Sequence, residues 1–204
     1  MKNLARVAIV SLTLLFAGQA LAQQGYELIT PPQNTSTGDK VEVLEFFWYG
    51  CPHCYELEPM IDAWDKERRA DNVEFIRVAP PLNPQWADQG RAYYAAKILG
   101  VLDTFHRAMF DAIHKDHKRL NKVEDIAKFA GTLGLDEDKF LSTMKSFAVE
   151  MELKRARQQA IAMRLTGVPG VVVNGKYRTS ASLAGGYPAM LDLIDRLAEQ
   201  EAAN

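Results

Sequence analysis

The 204-residue chain predicts an α/β fold in two separated pieces: a β-α-β unit near its start, and a β-hairpin with a closing helix at its end. Three observations predict it. Strand-like apolar runs fall only at 41–47, 73–79 and from Val171 onward. The stretch between them, beginning near Pro80, carries helical apolar spacing without a strand-like break. The only two cysteines, Cys51 and Cys54, sit at the junction of the first strand and the first helix.

Residues 1–22 read as a secretory signal. Lys2 and Arg6 make a basic start, 7–18 an apolar core, and Ala20-Leu21-Ala22 a small-residue cleavage site. An uncleaved anchor is the alternative, but the apolar core is short of the about 20 residues that a span needs. Cleavage after Ala22 takes away Lys2 and Arg6 and no acid, so the formal charge moves from −2 to −4. That balance argues against nucleic-acid binding and against a polybasic membrane role. No later segment is apolar enough to span a bilayer, and the mature chain reads as exported and soluble. Export implies an oxidising compartment.

Residues 41–47 are rich in β-branched and aromatic side chains and nearly continuous in apolar character, which suits a strand covered on both faces. Trp48-Tyr49-Gly50 turns the chain into Cys51-Pro52-His53-Cys54. Leu57, Met60, Ile61 and Trp64 then recur at helical spacing, with Pro52 in the first turn and Pro59 placed to kink the helix. The second strand is 73–79. Helical stretches follow at 86–99, 102–115, 123–133, 136–146 and 147–165, with Gly100, Gly134 and Gly167 as stops. Val171-Val172-Val173, the Asn174-Gly175 turn and residues 176–179 form a hairpin, and Pro188 opens the last amphipathic helix.

Two thiols two residues apart suit reversible disulfide chemistry. A structural bridge there would stabilise little, ~2 kcal/mol by chain entropy against roughly 4–5 for a loop of a hundred residues. A zinc site lacks a second ligand pair. His114 and His117 could meet on one helix face, but Lys115, Asp116 and Lys118 suggest a solvated surface, and no metal is expected. Cys51 falls at a helix N-terminus, where free N–H groups and the helix dipole favour an anion. Cys51 is therefore the exposed sulfur that is attacked, and Cys54, one turn in, the more buried resolving partner. His53 can donate a hydrogen bond or carry charge near the thiolate, or be a solvent-facing spacer. Pro52 offers no N–H and stiffens the turn. Trp48, Tyr49, Trp86 and Tyr94 suit a substrate groove or, more commonly, core packing.

The strand–CxxC–helix unit, Pro59, and a proline before a hairpin resemble a thioredoxin-like fold. More narrowly, Phe46-Phe47, Cys51-Pro52-His53-Cys54-Tyr55, the helical insertion and Gly167-Val168-Pro169 resemble the DsbA family of periplasmic thiol:disulfide oxidoreductases, over essentially the whole mature chain. The resemblance implies a discontinuous thioredoxin-like domain at 23–80 and 157–204, interrupted by an inserted helical domain at 81–156. It implies a cis Val168-Pro169 peptide beside the cysteines, with the Val168 backbone free to pair with substrate. It places Glu45, Glu58 and Arg77 in a buried charge cluster under the site, with Arg where the family more usually has Lys. A structural ion pair is the equal alternative there. The resemblance further implies reduced exported polypeptides as substrates, reoxidation by a DsbB-type quinone-linked membrane partner, a periplasmic location, and no cofactor beyond the cysteine pair.

Two other functions are carried beside oxidation: a disulfide isomerase or reductase, and a non-catalytic chaperone-like binding module. Dimeric isomerases of this type carry an N-terminal dimerisation domain. Only the 28 residues 23–50 precede Cys51 in the mature chain, so a monomeric oxidase fits better.

Overall fold

The computed structural model describes residues 25–203, so the signal segment and its cleavage site lie outside the described residues. The described chain opens with β1 (Tyr26–Leu28) and β2 (Val41–Phe46), and residues 47–51 lead into α1 (Pro52–Ala63). A π-helical turn at Trp64–Arg68, β3 (Val73–Val78) and a 3-10 turn at Pro84–Trp86 follow. Then come α2 (Ala87–Leu99), α3 (Leu102–His114), α4 (Val123–Thr132), α5 (Glu137–Met144) and α6 (Phe147–Ala162). The chain returns through β4 (Gly170–Val173), β5 (Tyr177–Thr179), α7 (Ala181–Ala184) and α8 (Tyr187–Ala202). This is the α/β, thioredoxin-like architecture with a helical insertion.

The sheet order is β1-β5-β4-β2-β3, with β2 and β3 parallel and the other neighbours antiparallel. All six residues of β2 are buried, as an interior strand covered on both faces requires. Alternation sends Val41 and Val43 to a core with Leu57, Ile61, Met190 and Ile194 of α1 and α8. Leu44 and Phe46 face the inserted helices, in one continuous cluster with Phe105, Phe110 and Phe140. The insertion therefore packs on the sheet and shares its core. The boundary expected between 156 and 157 falls inside α6, a single helix that serves both parts.

The hairpin forms for the reason its sequence suggests. Asn174 (φ 49°) and Gly175 (φ 65°) both adopt positive φ, as a type I′ turn demands, and Lys176 N–H donates to the Val173 carbonyl at 3.0 Å. A Cβ at Gly175 would also strike the Gln33 carbonyl, so this glycine is required twice over. Other expectations need correction. The helix 147–165 ends at Ala162, before Gly167, because Arg164 itself takes φ 54°. Leu165 N–H then bonds the Ala160 carbonyl at 2.9 Å and Arg164 N–H that of Ile161 at 3.0 Å, a Schellman closure. The Arg164 guanidinium reaches the Thr30 carbonyl at 2.6 Å, which helps hold this conformation. Pro59 lies inside α1, where its place in the helical pattern puts it. Strand β1 was not foreseen; it exists through its pairing with β5.

Candidate active site

The turn that presents the cysteines is held from three sides. Phe47 N–H donates to the Val78 carbonyl at 3.0 Å, and Cys51 N–H to the Trp48 carbonyl at 3.0 Å. His114, at the end of α3, donates its Nε2–H to the Tyr49 carbonyl at 2.7 Å and stacks on Tyr55 with centroids 4.8 Å apart. His114 is thus a half-buried anchor of the turn. Lys115, Asp116 and Lys118 lie beyond the helix end, and of the pair His114 and His117 only the second is exposed. Trp48 stacks on Trp86 (4.7 Å, 9°), and a Cβ on Gly50 would collide with the Trp48 ring.

Cys51 is the N-cap of α1, extended at φ −86° and ψ 117°, with Pro52 in the first turn. Both thiols are free. Cys51 was expected to be exposed; it is 7 % accessible, against 0 % for Cys54. Cys54 is the more buried of the two sulfurs, and Cys51 is itself largely covered. The Cys51 thiol is drawn down from 9.0 to about 6, first by the hydrogen bond from Cys54 and then by the backbone N–H groups of Cys54 and His53 and the charge of His53. Burial opposes that shift and is outweighed. Cys54 is pushed far up, by burial first and then by Cys51. Pro52 and Cys54 enter the helix, whereas the His53 side chain is exposed.

Opposite α1, Val168-Pro169 is a cis peptide, and the Val168 carbonyl lies 3.5 Å from Cys51 Sγ. A groove of about 300 Å³ runs beside it, lined by Thr166, Pro169, Arg178, Ser180 and Leu183 among others.

Beneath Cys54, Glu45, Glu58 and Arg77 do meet. Adjacent register on β2 and β3 places Arg77 beside Glu45. Arg77 Nε donates to Glu45 at 3.1 Å, and Nη2 to Glu58 at 3.1 Å and Asp62 at 2.6 Å. Burial raises Glu45 to about 8 despite Arg77. Burial pulls against the Arg77 charge, and Glu45, Glu58 and Asp62 together outweigh it and raise the guanidinium. For Asp62 burial acts upward, and Arg77 and Lys66 bring the net shift down.

Two members were missed. Asp62 follows Glu58 by four residues, a spacing that puts both on one face of α1. His106 of α3 lies 3.1 Å from Glu58, and its Nδ1 is 2.7 Å from the Tyr49 hydroxyl. Its position in the stripe of Leu102, Phe105, Met109 and Phe110 was the available signal of burial.

A dithiol capping the first helix of such a sheet, with a cis-proline turn against its outer sulfur, defines a thiol–disulfide exchange protein of thioredoxin-like fold. The helices inserted between β3 and β4 narrow the class, and comparison with known proteins does the same. Residues 42–189 match the DSBA-like thioredoxin domain. The thiol:disulfide interchange protein DsbA of Pseudomonas aeruginosa is 41% identical over 208 residues, covering 100% of this chain and 98% of the relative. The crystal structure of P. aeruginosa DsbA superposes with a TM-score of 0.84 at 41% identity, covering 88% of this chain and 93% of that one. The oxidoreductase DsbA from Xylella fastidiosa gives 0.82 at 32% identity, covering 88% and 96%. The chain belongs to the DsbA family and is a thiol:disulfide oxidoreductase.

Proposed function

We propose that this chain is a periplasmic oxidant of exported proteins, donating the disulfide of Cys51 and Cys54 to reduced polypeptides. The observation that carries the reading is the opposite pull on the two thiols, Cys51 down to about 6 and Cys54 up. A stabilised Cys51 thiolate favours the reduced pair and is a good leaving group, which makes the disulfide an oxidant.

In the oxidised protein a substrate thiolate attacks Cys51 Sγ. The bond to Cys54 breaks, and Cys54 leaves as a thiolate that takes up a proton, the form its burial favours. The substrate's second thiolate then attacks the substrate sulfur of the mixed disulfide, and Cys51 departs as the stabilised thiolate. The substrate loses two electrons and gains an S–S bond; the protein holds both electrons as its dithiol. Burial raises Glu45 to about 8, which favours its neutral form beside the departing Cys54 thiolate.

Substrate would pair in extended form with the Val168 backbone over Pro169, a mode that tolerates many sequences. The about 300 Å³ groove beyond it would take flanking residues. The cysteine pair would be the sole redox group, with no separate cofactor. The protein would act as a monomer, and a DsbB-type quinone-linked membrane partner would restore the disulfide.

Equilibration with glutathione buffers, followed by denaturation of both redox forms, tests the reading. The reduced form is expected to be the more stable; a markedly more stable oxidised form would point to a reductase instead. The pH dependence has a definite sign. A depressed thiol pKa stabilises the folded reduced form fully above 9.0, and this is lost as pH falls through about 6. The gap between the two forms should therefore narrow as pH falls from 9.0 to about 6 and stay level below that. Cys51→Ser is expected to abolish oxidation; a chaperone-like module would keep its client protection.

A further inference from the structure

Three groups from two helices meet on the rim of the cysteine turn. Glu56 Oε2 lies 3.3 Å from His53 Nδ1, one helical turn along α1. The Tyr187 hydroxyl, in the first turn of α8, lies 3.3 Å from the same carboxylate oxygen and 3.1 Å from the His53 carbonyl oxygen. Its single hydrogen is shared between those two acceptors, so Tyr187 ties both the carboxylate and the His53 backbone to α8. The phenol is raised to about 12, by burial first, then Glu56, with Cys54 and Cys51 contributing, so it also feels the sulfurs.

The electrostatic consequence follows from the pairing. An unpaired imidazolium at position 53 would act on the Cys51 thiolate with its full charge. When protonated beside Glu56 it belongs to an ion pair whose net charge is zero, with Nδ1 3.3 Å from the carboxylate. Among the described residues, the other titratable groups that interact with Tyr187 here are Cys51 at the N-cap of α1 and Cys54 within it. None of these supplies a second cation.

We infer that Glu56, held in place by Tyr187, is a positioning residue that restrains His53 and keeps the Cys51/Cys54 disulfide less oxidising than the bare motif would be. The side chains are 70% and 58% exposed. Exposed pairs interact weakly, so the expected effect is about 1.5–5-fold.

The test uses the full mature protein carrying Glu56→Gln, Tyr187→Phe, or Glu56→Gln combined with His53→Ser. The readouts are thiolate absorbance against pH and the equilibrium with glutathione. Glu56→Gln should lower the Cys51 titration by about 0.2–0.7 pH unit and move the equilibrium about 1.5–5-fold toward the reduced protein. Tyr187→Phe should act in the same direction and less. With Ser at position 53 the effect of Glu56→Gln should vanish. An unchanged or raised Cys51 titration in Glu56→Gln overturns the inference, as does an undiminished effect in the His53→Ser background. The inference rests on the oxidase reading, and the two fail separately. A more stable oxidised form sinks that reading whatever Glu56→Gln does, whereas an inert Glu56→Gln sinks only this one.

Discussion

Glu201, in the last turn of α8, receives hydrogen bonds from Asn174, Lys176 and Tyr177, whereas Glu45, under the cysteine turn, shares the Arg77 guanidinium with Glu58 and Asp62. Both carboxylates are buried, at 9 % and 0 % exposure. Burial pushes both upward, yet Glu201 ends below the usual carboxylate range and Glu45 near 8. Three things differ: Glu45 lies deeper, Glu58 and Asp62 add to its rise, and it has fewer donors. Both oxygens of Glu201 are bonded, while Glu45 Oε1 has no partner. A buried carboxylate follows desolvation only when its donors run short. At the hairpin the result is an ionic clasp between α8 and β5. Beneath Cys54 it is an acid held neutral where a thiolate must form.

The largest effect should come from removing the one cation that serves three acids. Arg77→Met leaves Glu45, Glu58 and Asp62 without their shared donor, and breaking a buried pair in this way costs about 3–5 kcal/mol. Denaturant unfolding of both redox forms would measure it. Arg77→Lys should recover only part, because an ammonium cannot present the guanidinium's fork to several carboxylates at once. A loss below that of Glu201→Ala, expected at about 1–3 kcal/mol from its buried donors, would break the comparison.

The two carboxylates should also give stability opposite slopes with pH. Glu45 has a raised folded value, so its contribution is fully present below 4.5 and is lost as pH rises through about 8. Glu201 has a depressed value, so its contribution is present above 4.5 and is lost as pH falls through its lowered folded value. Measured against wild type, Glu45→Gln should gain relative stability from pH 4.5 to 8. Glu201→Gln should show its full deficit at pH 7 and approach wild type in acid. Parallel slopes in the two variants would show that donor supply does not separate the sites.

The hairpin side of this comparison was largely legible in the sequence, and the cluster side only in part. Asn174-Gly175 encodes its turn locally because only residues that tolerate positive φ fit there, and the β-branched runs of β2, β3 and β4 declare buried strands. Glu45, Glu58 and Arg77 are named by the family resemblance, at positions where a buried charge needs a partner. Asp62 was within reach through its i,i+4 spacing from Glu58, whereas His106 could not be placed with them, since its membership depends on how α3 packs against α1. Strand β1 has only three residues and owes its existence to β5. Gly167 was a plausible helix stop, but the chain stops at Arg164, whose unfavourable conformation is supported by a contact with Thr30 far away in sequence. Interactions between neighbours in sequence could be read; those assembled across the fold could not.

The smallest effect tests redundancy at the clasp. Asn174→Gly keeps a residue that accepts positive φ, so the turn survives and only the side-chain bond to Glu201 is lost. Lys176 still bonds Oε2 and Tyr177 still bonds Oε1. The cost should stay near the ordinary value of one hydrogen bond, about 0.5–1.5 kcal/mol, with the acid limb of the stability profile retained. Asn174→Ala adds the strain of a left-handed alanine, roughly 1–2 kcal/mol more. If Asn174→Gly alone abolished the acid limb, Glu201 would depend on one donor as Glu45 does, and the distinction between a clasp with donors to spare and an undersupplied acid would fail.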